Sequence, residues 1–361
     1  MGGDMLIYWL MFAFPSAMAL VEQSDERHRQ RFGFAWIFAM LGLILLIGFR
    51  WETGGDWGNY SRMVEQALWY PTHFSPLGDP GFSLLITYAA HTSLGLLLIT
   101  AASGVLMGIA LTRFCIHQPR PWLCLAVAVP YLVVVMGMGY IRQGMAISFL
   151  LMGLVSLKEG RTLRYCAWVC CGALFHSTVL ILLPLGVMVM TRNILLQGLL
   201  GLASLGLLAR AILLAHADTY VVNYIDSEMS SSGAMVRLAM TALPAAIFLA
   251  FPGRFELNDR ERSVWKGLSL AAIVAFVALF FSPSSTVIDR LGLYLIPVQC
   301  FVYCRLPDAF AGNRRMKSLV TVAVILGYAL AFFVWLTFAV NVEYWLPYRS
   351  YFFEDGICLE C

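Results

Sequence analysis

Residues 48–60 read GFRWETGGDWGNY. The stretch closes an apolar run, AWIFAMLGLILLI at 35–47. Between Arg50 and Tyr60 it sets one arginine, two acids, two tryptophans and three glycines. A membrane helix that only had to end would need none of these. A wet cavity at one membrane face would use all of them: glycines to break the helix, and charge and aromatic rings to hold a polar ligand. The cluster is read as part of such a cavity, on the side facing away from the cytosol.

Composition supports the bilayer as solvent. The chain has 361 residues, 60% of them apolar and 12% charged, against about 25% charged in soluble domains. Its interhelical segments are short, so residues 1–361 are expected to form one integral, all-α, polytopic membrane domain. Residues 5–15, MLIYWLMFAFP, have the apolar content of a signal peptide. A signal peptide carries a positive start, whereas MGGD precedes this run and Arg27, Arg29 and Arg31 follow it. A first spanning helix with its N-terminus outside fits better. The nine cysteines show no zinc spacing; most stand in apolar segments, where a thiol packs as a small hydrophobe. The terminal Cys358-x-x-Cys361 reads as a disulfide or as a loose tail, and no metal or cofactor is expected.

A span needs about 20 apolar residues. Candidates are 5–21, 33–49, 94–112, 121–138, 141–157, 194–215, 236–252, 268–283, 290–304 and 318–341. With two awkward stretches added, the expectation is about 10–12 spans. Orientation follows from basic residues, which gather in cytoplasmic loops. If 22–32, 113–121, 158–164, 192–193, 254–266 and 305–317 face the cytosol, they hold 17 of the 24 lysines and arginines, including every lysine. Loops 51–79, with a short amphipathic helix, and 216–235 then lie outside. In this threading the stretches 80–92 and 165–191 must enter the outer leaflet and return, the second turning near Phe175-His176-Ser177. Each arm of 165–191 reaches only about 20 Å at 1.5 Å per residue. Such broken backbone persists only where protein or cavity water covers it.

Four arginines then stand at outer helix ends: Arg50, Arg142, Arg237 and Arg290. One alone is ordinary snorkelling to the interface. Four from four helices are better explained by a shared anion, and the planar guanidinium fork matches phosphate oxygens. Asp56 and Tyr60 are one turn apart, on one face of a helix starting near Gly55. Asp56 reads either as the counter-charge of Arg50 or as a working carboxylate. Trp51, Trp57, Trp69, Tyr70 and the tail 343–349 read as an interfacial aromatic belt, with stacking on sugar as the alternative. Asp79 opens the dipping segment at a helix start. His176, at the predicted break, is either a structural histidine or a proton acceptor, since imidazole titrates near neutrality. Nucleotide motifs are absent, and nothing points to nucleic acid.

Arg50 with Gly55-Asp56-Trp57-x-x-Tyr60, Asp79-Pro80-Gly81-Phe82, Ile141-Arg142-Gln143-Gly144-Met145-Ala146, Phe175-His176-Ser177 and Trp345-Leu346-Pro347-Tyr348 resemble the EpsG family, the Wzy-like polymerases of bacterial exopolysaccharide, capsule and O-antigen. The resemblance covers about residues 48–348. It implies a GT-C-like enzyme of the bacterial inner membrane, working on the periplasmic side without a cofactor. Such an enzyme joins oligosaccharide units carried on undecaprenyl diphosphate, which serve as donor and acceptor. A flippase and a chain-length regulator are the implied partners, beside membrane lipid. On this reading Arg142 and Arg290 hold the diphosphate, followed by Arg50 and Arg237. Gln143, Tyr60 and Tyr294 orient sugar or phosphate, and His176 or Asp56 is the base. His176 is preferred, because Arg50 is expected to hold Asp56 as an ion-pair partner. The rival readings are a lipid-linked oligosaccharide flippase or exporter, whose charges belong at mid-membrane, an O-antigen ligase, and a scaffold protein.

Overall fold

A computed structural model describes residues 5–22, 33–69, 79–186, 233–282 and 284–352, with a few positions between 195 and 206. Most of the expected span 194–215, of the loop 216–235 and of the loop 22–32, and the terminal Cys358 and Cys361, lie outside the described residues. The described chain is helical, and its apolar helices make it a membrane protein.

In chain order the first helices are α1 (Leu6–Val21), α2 (Phe34–Gly48), α3 (Trp57–Trp69), α4 (Pro80–Ala90) and α5 (Leu96–Ile116). Next come α6 (Pro121–Ala128), continued by a π-helical stretch Val129–Gly137, then α7 (Ile141–Lys158), α8 (Thr162–Ala173) and a 3-10 turn Ser177–Leu182. The second half holds α9 (Ala234–Ala250), α10 (Asp259–Ala278), α11 (Ser285–Leu293), α12 (Pro297–Tyr303), α13 (Leu306–Phe310) and α14 (Arg314–Phe338). Two-residue strands β1 (Arg50–Trp51) and β2 (Arg349–Ser350) pair antiparallel.

The centre is α6 and its π continuation. The sequence PWLCLAVAVPYLVVVMG has no polar face, and every residue from Pro121 to Gly137 is buried, as a helix apolar all round must be. Pro130 has no amide hydrogen to donate, and the wider turn begins beside it. α2 and α5 cross at a glycine contact. A Cβ on Gly104 would stand 2.7 Å from the Gly48 Cα and 2.8 Å from the Ile44 carbonyl oxygen, so only glycine permits this approach. Gly104→Val should lower stability by about 1–3 kcal/mol through overpacking. Thermal unfolding in detergent checks this, and an unchanged midpoint would show that the helices are free to part.

Among the described residues, three helices, α5, α7 and α14, are long and apolar enough to cross a membrane, or four if the bent pair α11–α12 is one span; six more apolar helices there are shorter. Glycine, proline and charge cut several of the expected runs into these shorter helices. The expected single span at 290–304 is instead α11 and α12, bent by 51°. Pro297 supplies the reason, having neither an amide hydrogen nor room for the carbonyl one turn back. Within the tail 343–349, Tyr344 is half-exposed while Trp345 turns inward. Trp345 is buried, donates its indole N–H to the Val134 carbonyl (2.9 Å) and plugs the π-helical stretch.

The start of α4, at the head of the stretch 80–92, meets the turn that follows α8 in the stretch 165–191. α8 ends before His176, whose backbone is extended. The Leu174 carbonyl left without a helical donor accepts from the Gly81 and Phe82 amides at the start of α4, at 2.8 and 3.2 Å. In return, the Asp79 carboxylate accepts from the Ser177 amide at 2.9 Å. Each broken end thus satisfies the other's backbone.

Candidate functional site

This exchange of caps fixes three polar side chains. Asp79 Oδ2 lies 3.2 Å from Arg142 Nη1 and 3.4 Å from His176 Nδ1. Arg142 comes from the first turn of α7, after Gly137 and Gly139, and its guanidinium stands over the Phe82 ring at 5.8 Å. Asp79 is largely buried, which works against its charge. His176, Arg142 and the Ser177 amide outweigh this and hold its carboxyl below the usual carboxylate range. Arg142 keeps 35% of its side-chain surface exposed, so it can serve both Asp79 and a ligand.

Asp56 and Tyr60 form the second half of the cluster. They share a face of α3 as their spacing requires, with the Tyr60 hydroxyl donating to Asp56 Oδ2 at 3.5 Å. The same hydroxyl oxygen accepts from the Arg142 amide at 3.4 Å. Burial pushes the Asp56 carboxyl above its ordinary range, and Arg290, Arg142 and His176 oppose that shift by their charge. Burial likewise pushes the Tyr60 phenol up to about 12. Gln143 is buried and donates to the Arg290 carbonyl at 2.5 Å, tying α7 to α11. The Tyr294 hydroxyl pairs with Thr178 Oγ1 at 3.1 Å, tying α11 to the broken segment.

The structure therefore gathers Asp56, Tyr60, Arg142, His176 and Arg290 around one spot, with Gln143 and Tyr294 bracing its walls. It does not gather all four arginines. Arg50 is fully buried, donates to the Ile47 and Thr53 carbonyls and leaves its Nη2 unpartnered. The paired strands close over it, and the nearest ionisable groups acting on it are tyrosines, not Asp56. The expected Arg50–Asp56 pair is thus replaced by Asp56 facing Arg290 and Arg142. The reason is local: Arg50 turns back onto the carbonyls that α2 leaves free at its C-terminus. Arg237 is clasped bidentately by Asp289, at 2.9 and 2.6 Å. It borders a mostly apolar cavity of about 320 Å³ that also touches Tyr140, Trp335 and Trp345. Neither Arg142 nor His176 lines that cavity.

Sequence reasoning gives two residues too little weight. Asp79 reads as a helix-start acid, although Asp-Pro-Gly at a predicted break signals a cap that can reach another segment. Asp289 carries a cue in its own adjacency to Arg290.

The cluster combines a half-exposed arginine, a second arginine, a histidine held by a carboxylate and a half-buried carboxylate. Chemically it can hold an anion and accept a proton beside it. No curated protein and no solved structure matches the chain. The model of the EpsG family matches residues 33–350, the span that carries the whole cluster. The chain therefore belongs to the EpsG family, which is associated with glycosyltransferase-like polymerase activity in exopolysaccharide synthesis.

Proposed function

We propose that the protein is a polysaccharide polymerase acting as one integral domain of the bacterial inner membrane. It joins oligosaccharide repeat units carried on undecaprenyl diphosphate at the periplasmic face, and its architecture is GT-C-like. The observation that carries this reading is the meeting of Arg142, Arg290, His176 and Asp56 at one end of the bundle, next to two helices broken against each other. Among the described residues, Lys158, Arg254, Arg305 and Lys317 gather at the opposite end of α7. An exporter would need charge near mid-membrane, and this distribution favours an enzyme instead.

The reaction needs positive charge that gains value as the diphosphate leaves, and a base at the attacking hydroxyl. Arg142 and Arg290 supply the charge. With Nδ1–H of His176 donated to Asp79, Nε2 keeps the free lone pair and faces the acceptor. The acceptor hydroxyl oxygen forms the bond to the donor's anomeric carbon, and its proton passes to Nε2. The bond from that carbon to the diphosphate oxygen breaks, and undecaprenyl diphosphate departs with the electron pair. Asp56, its proton affinity raised by burial, is the alternative base. Tyr60 and Tyr294 orient sugar or phosphate.

Asp79 then matters as the residue that aligns both Arg142 and His176. Asp79→Asn keeps the shape but weakens two charge-assisted contacts, and polymerisation should fall by about tenfold or more in a protein that still inserts. A turnover assay on purified protein checks this, with unchanged turnover as the contrary result.

The reading as a whole is tested in a strain lacking the gene. Single repeat units should accumulate on the lipid at the outer face and never lengthen. Units trapped at the inner face would indicate a flippase. Full-length chains that stay on the lipid would indicate a ligase.

A further inference from the structure

α7 runs from Ile141 to Lys158, so Arg142 in its first turn and Lys158 at its end stand about 24 Å apart along the helix. Lys158 lines a second cavity, of about 470 Å³, at that far end. Its other charged walls include Arg254, Arg305 and Lys317, with Asp308 and Glu261. The acids are mostly spoken for. Asp308 is held by Arg120 at 2.8 and 3.0 Å and by Lys317 at 2.9 Å. Glu261 faces Lys158 at 3.9 Å, and Glu256 lines the cavity from an exposed position.

Two arginines lining the cavity make no close ion pair with a carboxylate among the described residues. Arg305 is only 6% exposed. It donates to the Gln118 side-chain oxygen at 2.7 Å and the Phe301 carbonyl at 3.1 Å, and stacks over the Phe301 ring at 3.9 Å. Arg254 rests over the Phe310 ring at 5.0 Å. A buried guanidinium whose direct partners are neutral, with only the more distant Glu261 charge acting on it, is costly unless a closer counter-charge arrives. The volume suits a small ligand, and the arginine fork suits phosphate oxygens.

We infer that this cavity binds a phosphate-bearing anion, with Arg305 and Arg254 as its main donors, separately from the cluster around Arg142. The anion is either a soluble phosphate compound or the headgroup of an anionic lipid. The inference does not rest on the polymerase reading, since it concerns binding at the other end of α7.

The test uses the full chain in phosphatidylcholine nanodiscs titrated with inorganic pyrophosphate, and in phosphatidylglycerol nanodiscs without it. The readouts are the thermal midpoint and the equilibrium binding of radiolabelled pyrophosphate. Stabilisation should appear in one of the two arms and weaken about tenfold in Arg254→Gln, with Arg305→Gln weakening it at least as much. Because Arg305 is buried and its loss endangers folding, the exposed Arg254 is the deciding position. Stabilisation by pyrophosphate in phosphatidylcholine assigns a soluble ligand; stabilisation only in phosphatidylglycerol assigns a lipid headgroup. No stabilisation in either arm overturns the inference. So does stabilisation that ignores Arg254→Gln, and so does binding lost only in Arg142→Ala, which would locate that ligand at the other end.

Discussion

Arg142→Ala should reduce polymerisation by about a hundred- to a thousandfold, the usual loss when one preorganised donor to developing charge is removed. The effect should fall on turnover more than on donor affinity. Positive charge that matters most as the diphosphate leaves stabilises the transition state more than the bound substrate. Arg142 also holds Asp79 at 3.2 Å, so its loss frees the carboxylate that orients His176. In cells, the variant should insert normally and yield single-unit glycolipid with no ladder on a gel. Arg142→Lys should recover little, since a point charge cannot reproduce a fork shared between Asp79 and a phosphate. Normal chain length in Arg142→Ala would remove Arg142 from the site.

His176→Ala should cost about a hundred- to ten-thousandfold in turnover, the range for general-base groups, while lipid-linked donor still binds. His176→Gln separates base from brace. Glutamine can still donate toward Asp79 but cannot take a proton, so it should be as slow as alanine if the imidazole is the base. If His176→Gln is active and Asp56→Asn is dead, the base is Asp56. Turnover of the purified variants with lipid-linked repeat unit, measured beside donor binding, distinguishes these outcomes.

The sequence made one part of this site readable and hid another, for physical reasons. The break near His176 followed from length, because residues 165–191 are too short to cross twice. The Asp56–Tyr60 face followed from helical spacing. Both are local properties. Asp79 and His176 lie 97 positions apart, and Arg237 and Asp289 lie 52 apart. Neither pair has a signal within any hydropathy window. Arg50 misled because charge beside glycines looked like a ligand site, whereas the free carbonyls at the end of α2 offered it nearer acceptors. The bend in 290–304 was announced by Pro297 but averaged away in a run otherwise apolar enough to span.

The arrangement also explains why the polar cluster survives next to apolar helices. Its backbone ends are satisfied before any ligand arrives: α4 caps α8, and Asp79 caps the turn that follows. What remains unsatisfied is side-chain charge. Arg290 and the half-exposed Arg142 face a carboxylate whose ionised form burial disfavours. On the proposed reading, an incoming diphosphate would meet donors already aligned, at little cost in reorganisation.

The most direct measurement is a reconstituted reaction: purified protein in nanodiscs, given only the undecaprenyl-diphosphate-linked repeat unit, with no nucleotide sugar and no energy source. The account predicts a ladder of lengthening glycans, one undecaprenyl diphosphate released for each bond formed, and no ladder with Arg142→Ala. A lipid-linked unit left unconsumed by active, folded protein, or consumed equally well by Arg142→Ala, would contradict it.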